Sequence, residues 1–397
     1  MRKLRSSVVL VAVAAALLVG VVTVRVADRS EGAGPPPTSS SPTASSWRPG
    51  EPTIEPPGQV PGVLGVNYHA LWAGVGPEER ARVLDEVAAS RVPWVRLDIG
   101  WQNIQPDGPD SYDPAGVRKV DASISEARSR GLKVLLLFYW APEWASGTTK
   151  KNGRPRDPSQ YASAAAWVAD RYDGGLGSDL TVDGIELWNE PDLDRFWTAE
   201  PAATRVSDFA TLVRVAGAAV KQANPRMTVV TGGLSLLDVN WLDAFYRADP
   251  GLGTSYDALG LHAYPSPSDS PPEHFDVNQP QYSMLTLGAM AQVMDTWRDP
   301  APIWVTEFGW ATHANIPLVT KPWERGVTEQ QQADYLLASM QVLGAQPLVA
   351  AAFWYDAWSP PVDDEQLAGF GLLDSAFRRR PAFFAMRCVA SEVCGPS

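Results

Sequence analysis

Beyond residue 61 the chain falls into a two-part rhythm. A short apolar run is followed by a longer stretch in which apolar positions recur three or four residues apart. The short runs are 63–68 (VLGVNY), 94–98 (WVRLD), 133–139 (KVLLLFY), 183–188 (DGIELW), 227–231 (MTVVT), 257–262 (DALGLH), 302–307 (PIWVTE) and 348–355 (LVAAAFWY). Their length and their β-branched and aromatic content predict buried strands. Between them, stretches such as PEERARVLDEVAASR, PAGVRKVDASISEARSRG, YASAAAWVADRYD and TEQQQADYLLASMQVLG read as amphipathic helices. Strand–helix alternation implies right-handed crossovers and a parallel sheet. Eight such repeats predict an α/β protein with a single closed (β/α)8 TIM barrel over residues 62–397.

The fourth run shows where chemistry belongs. In GIELWNEPD (184–192), Pro191 cannot donate to a sheet ladder, so the strand has to stop near Glu190. That leaves Asn189 and Glu190 at the C-terminal lip of a buried strand, the end at which barrels build their sites. The other strand ends should converge on the same mouth. They supply Asn67 and His69, Arg96 and Asp98, His262 and Tyr264, Glu307, and Trp354. Glu190 in WNEP and Glu307 in WVTEFGW stand on strands four and seven. They can therefore face one another, as glycoside cleavage requires: one acid protonates the departing oxygen and one carboxylate lies beneath the ring.

The paired motifs WNEP and WVTEFGW, the PEWA after strand three and the C-terminal GLLDSAFRRRPAFFAM together resemble retaining glycoside hydrolases of clan A, families 39 and 5 in particular. The resemblance covers about residues 62–390. It implies that Glu190 is the general acid/base and Glu307 the nucleophile. It further implies that Asn189 bonds the sugar 2-hydroxyl, that Arg96 lies near the nucleophile, and that His262 and Tyr264 surround it, with the Tyr264 hydroxyl orienting it, all four counting as substrate-binding residues. Trp354 is expected as the platform beneath the innermost sugar. Under that mechanism Glu190 should be protonated near neutral pH and Glu307 ionised. Asn67, His69 and Asp98 fit either a site or a structural role, and Trp101, Trp144 and Trp310 either sugar platforms or packing.

Composition narrows the alternatives. The formal charge is −12, which argues against nucleic acid as a partner. The histidines are His69, His262, His274 and His313, without H-x-H or H-E-x-x-H spacing. No metal or other cofactor is therefore expected. A transglycosylase would share every catalytic residue, and a binding-only barrel would have no use for both carboxylates. The partner is expected to be a carbohydrate, taken by a monomer. Rim segments 146–160, 265–281 and 313–328 would set specificity.

The N-terminus bears on export. Arg2, Lys3 and Arg5 precede an uncharged, mostly apolar run at 6–24. Residues 1–30 thus read as a signal peptide or an uncleaved signal-anchor, with the remainder exported. Residues 31–61, rich in Pro, Ser and Thr, read as a disordered tether. In an exported chain Cys388 and Cys394, the two cysteines present, are expected to pair in a small-loop disulfide.

Overall fold

The computed structural model describes residues 60–391 and 394, apart from 73, 199–201, 313–320, 347 and 360–366. The expected signal or anchor and nearly all of the 31–61 tether lie outside the described residues, as does part of the 313–328 rim.

The eight strands are β1 Val63–Tyr68, β2 Trp94–Gly100, β3 Lys133–Tyr139, β4 Gly184–Asn189, β5 Thr228–Gly233, β6 Leu259–His262, β7 Ile303–Phe308 and β8 Val349–Trp354. They form one parallel sheet in the order β5-β4-β3-β2-β1-β8-β7-β6. The two ends of that order meet through the bridges Val230–Ala258 and Leu234–Leu261, which complete the TIM barrel. Ladders that wrap round the barrel leave no open edge for another chain to add to.

Side-chain alternation divides the core into two parts. Trp94, Leu135, Val230, Ala258, Trp304, Ala351 and Phe353 cluster together and fill the barrel interior. Trp94 meets Trp304 edge-on, with centroids 5.7 Å apart. A larger cluster, including Val66, Leu97, Leu136, Ile185, Val305 and Trp354, joins the outer faces of the strands to the helices. Each fully buried large aliphatic or aromatic side chain contributes about 1.5–3 kcal/mol. Gly65 belongs to this packing, because a Cβ there would overlap the Phe353 ring.

Several crossover helices start on the same local device. The N-cap aspartates Asp113, Asp157 and Asp238 accept backbone N–H bonds from the first turns of Pro114–Arg128, Pro158–Arg171 and Val239–Ala248. Such caps stabilise a helix by about 0.5–2 kcal/mol. The last helix, Pro381–Ser391, carries Cys388, which a disulfide joins to Cys394 beyond the helix end, with Cα atoms 4.4 Å apart.

Candidate active site

Strict alternation along β4 would send Asn189 and Glu190 to opposite faces of the sheet. The backbone prevents this. Trp188 (φ 87°) and Glu190 (φ 41°) both adopt left-handed conformations that non-glycine residues rarely enter. The indole of Trp188 is buried outside the barrel and donates to the carbonyl of Phe196, 3.0 Å away. With that anchor in place, Asn189 and Glu190 both turn into the mouth. Strain of this kind costs about 1–3 kcal/mol per residue and gathers at working sites. The Glu190 carbonyl then accepts from Leu193 N–H, so the chain turns away directly after Pro191.

Below them lies a buried charge network centred on Arg96 of β2. Its guanidinium donates to Glu186 (2.5 Å), to Asn67 (2.7 Å), to Glu307 Oε1 (2.6 Å) and to Asn189 Oδ1 (3.0 Å). Glu186, fully buried, also accepts from Thr306 Oγ1 and Gly233 N–H, each at 3.0 Å. A guanidinium with fixed, forked donors suits such a junction, and each acceptor it holds is thereby aimed. Burial disfavours the charge on Arg96, but Glu186 and Glu307 more than offset this and raise its pKa.

Glu307 receives a second donor on its other oxygen, the Tyr264 hydroxyl at 2.9 Å. His262 stands between the two mouth carboxylates. Its Nδ1 is 3.0 Å from Glu190 Oε1 and 3.6 Å from Glu307 Oε2. Gly233 makes room for this ring, since a Cβ there would overlap it. Burial pulls the imidazole pKa down, but the charge of Glu307 and the bond to Glu190 lift it above its ordinary value. An oxygen of Glu190, an oxygen of Glu307 and a ring nitrogen of His262 all lie within 4.8 Å of one another.

Two carboxylates this close at the C-terminal mouth of a parallel barrel have the geometry of glycosidic cleavage. The family model for the cellulases, glycosyl hydrolase family 5, matches residues 52–356. The chain belongs to glycosyl hydrolase family 5. Members of that family are glycosyl hydrolases acting on carbohydrates. Its fold is similar to a family 39 glycoside hydrolase from the gut symbiont Bacteroides cellulosilyticus WH2 (TM-score 0.61, 22% identity, 84% of this chain and 64% of that one). It is also similar to an exo-β-1,4-mannosidase from Opitutaceae bacterium strain TAV5 (TM-score 0.59, 18% identity, 88% and 61%). A monomeric β-xylosidase from Caulobacter crescentus CB15 shares the fold as well (TM-score 0.62, 16% identity, 85% and 70%). The chain thus spans 64% and 61% of the length of the first two structures. Among curated proteins none matches it.

In this family 5 barrel most of the residues singled out in the sequence meet at one place, but three expectations need correction. Trp354 is fully buried on the outer face of β8, and its indole N–H donates to the Phe370 carbonyl at 3.2 Å. It packs on Phe308 and Trp310 and offers no surface to a sugar. Alternation from the inward-facing Phe353 instead brings Tyr355 to the mouth, beside Tyr264 and His69. Arg96 and His262 are not sugar contacts either. They are 2% and 0% exposed, and they act on the carboxylates rather than on the solvent space. The third correction concerns protonation. Burial would raise the Glu190 pKa, but the bond and charge of His262, and then the Arg195 guanidinium, hold it below the usual carboxylate value. These donors favour the ionised form of the acid/base candidate.

Of the two-way readings, Asn67 is a brace. It accepts from Arg96 and donates to the carbonyls of Thr306 and Trp354. His69 and Asp98 form a pair at the mouth, 2.9 Å apart, with Trp72 and Tyr139 donating to the other Asp98 oxygen. Burial works against the imidazolium, yet Asp98 raises the His69 pKa above its ordinary value. Trp101 and Trp310 are packing residues, 0% and 1% exposed. The partly buried Trp144 packs on Trp101 and donates to the Gln105 carbonyl.

Sequence reasoning passed over Glu186, Arg195 and Tyr355. Glu186 was legible in principle, since a carboxylate at an inward strand position needs a buried partner. Arg195 lies in an irregular loop and carried no signal. Among the described residues, Glu190, His262 and Glu307 are the group with metal-ligand composition. The cationic donors Arg96 and Arg195 on those carboxylates oppose a divalent ion there.

Proposed function

We propose that this family 5 glycosidase cleaves a β-linked cell-wall or extracellular polysaccharide, or an oligosaccharide derived from it, with retention of configuration. The reading rests chiefly on the approach of Glu190 and Glu307 to within 4.8 Å. Retaining enzymes hold their carboxyls about 5–5.5 Å apart and inverting ones about 6.5–9.5 Å, to leave space for a water. Glu307, aimed by Arg96 and Tyr264, attacks the anomeric carbon while Glu190 passes its proton to the departing oxygen. A covalent glycosyl–Glu307 ester results. Glu190, now ionised, takes a proton from water, whose oxygen displaces Glu307 and completes the hydrolysis. Arg96 pins Asn189 Oδ1, which leaves the Asn189 amide N–H free to bond the sugar 2-hydroxyl. The names of the mannosidase and xylosidase above favour a β-linked substrate.

The test is a panel of aryl β-glucosides, β-mannosides and β-xylosides together with cell-wall polysaccharides, with products read by mass spectrometry. For whichever is cleaved, proton NMR of the first-formed sugar should show the anomer of the substrate. The opposite anomer would exclude the double displacement.

Export with a membrane tether is part of the proposal. It is supported by the cationic start followed by the apolar run at 6–24, and by a disulfide of the kind that persists in oxidising compartments. Cell fractionation should recover the full chain with membranes. A mature N-terminus near Asp28 in culture medium would rule out the tether and leave the chemistry untouched.

A further inference from the structure

Glu190 is 4% exposed at its side chain, and its two oxygens have different partners. Oε1 faces the buried His262, while Oε2 accepts from Arg195 Nη2 at 2.7 Å. Arg195 follows five residues later on the same loop, and its side chain is 68% exposed. The guanidinium rests over the Phe196 ring, 4.7 Å from its centroid. The solvent-side oxygen of the carboxylate is thus covered by an exposed surface cation rather than by a buried one.

We propose that Arg195 is a positioning residue that clamps Glu190 Oε2 in the unliganded enzyme and releases it when a leaving group enters. The inference depends on Glu190 being the acid/base. That role needs a proton for the first step and its absence for the second. The charged and titratable groups facing Glu190 are His262 from β6, Glu307 from β7, Arg96 from β2, Tyr264 after β6, and Asp192 on its own loop. Asp192, pushed up to about 6 by burial, is held by the N–H groups of Ser235 and Leu236. Arg96 is committed to Glu186, Glu307 and the two asparagines. All of these except Asp192 are anchored in the barrel wall or its rim, whereas Arg195 projects into solvent. A leaving group that displaces it removes a positive charge from beside Oε2, which favours protonation when the proton is needed. Departure of the leaving group lets Arg195 return and favours the ionised form that accepts the proton of water.

The experiment is a carbon-13 carboxyl NMR titration of the full chain labelled at glutamate, with the Glu190 signal assigned by its loss in Glu190→Gln. Arg195→Gln should raise the Glu190 midpoint by about one pH unit, as expected for loss of an opposite charge in contact. Arg195→Lys, which keeps the charge, should stay near the wild type. Added salt should raise the wild-type midpoint and leave Arg195→Gln nearly unmoved, because exposed charges are screened. An unchanged midpoint in Arg195→Gln, or an equal rise in Arg195→Lys, overturns the clamp. This titration requires no substrate, so it stands apart from any failure of the proposed sugar chemistry. With a cleaved substrate, the alkaline limb of kcat/KM should move up in Arg195→Gln while that of kcat stays. The first reports the free enzyme and the second the complex in which Arg195 has already moved. Movement of both limbs overturns the release.

Discussion

Glu307→Ala is expected to lose on the order of 10⁴–10⁶-fold in turnover, the scale on which removing a covalent nucleophile acts. Arg96 and Tyr264 aim this carboxylate from two sides, and no other acidic side chain in the network is free to replace it. Glu186 is buried beneath Arg96, and Glu190 is held by His262 and Arg195. Added azide should enter the vacated space and give a glycosyl azide of inverted configuration. Glu190→Ala serves as the control. A dinitrophenyl glycoside needs no proton on its leaving group, so its first step should proceed and the ester on Glu307 should accumulate. Azide should then intercept that ester with retained configuration. Natural substrates, which need the acid, should lose about 10²–10⁴-fold. Product configuration by NMR and a mass increase of the trapped enzyme are the measurements. The opposite stereochemical pattern would exchange the two roles, and full activity in either variant would end the mechanism.

Arg96→Met is expected to cost about 3–5 kcal/mol of stability, the usual consequence of removing one partner from a buried ion pair. The position is 2% exposed, and the carboxylate left behind, Glu186, is 0% exposed. Glu186 would keep hydrogen bonds from Thr306 and Gly233 but lose its counter-charge. Two apolar replacements of similar volume can be neutral or stabilising where a single one is not. Arg96→Met with Glu186→Leu should therefore recover part of the loss, and a double-mutant cycle on denaturant midpoints measures the coupling. A single-variant loss below about 1 kcal/mol would show that water or a neighbouring cation already compensates Glu186. The catalytic consequence should be separable. The double variant, even when stable, leaves Asn189 without its Arg96 donor and Glu307 with only the Tyr264 hydroxyl, and should remain nearly inactive.

The fold was legible because barrel strands and crossover helices differ in hydrophobic period. All eight predicted runs overlap the eight observed strands, and their ends differ by at most two residues. The WNEP and WVTEFGW motifs were legible for a related reason. Polar residues that end a buried strand need a use, and the strands of a parallel barrel all end at one mouth. Trp354 shows where reading by strand end fails. A shift of one residue reverses the face, so the aromatic that reaches the mouth is Tyr355. The β4 end fails in the other direction. Positive φ at Trp188 and Glu190 sets two consecutive side chains on one side, which no periodicity announces.

What the sequence alone determined, then, was the architecture and the pair of glutamates, since both follow from patterns local to each strand. Tertiary structure decided the state of those glutamates. Arg96 and Glu186 are 90 positions apart, Arg96 and Glu307 are 211 apart, and His262 and Glu190 are 72 apart. Charge and hydrogen bonding act over a few ångströms of space, and no spacing along the chain encodes which groups share that space.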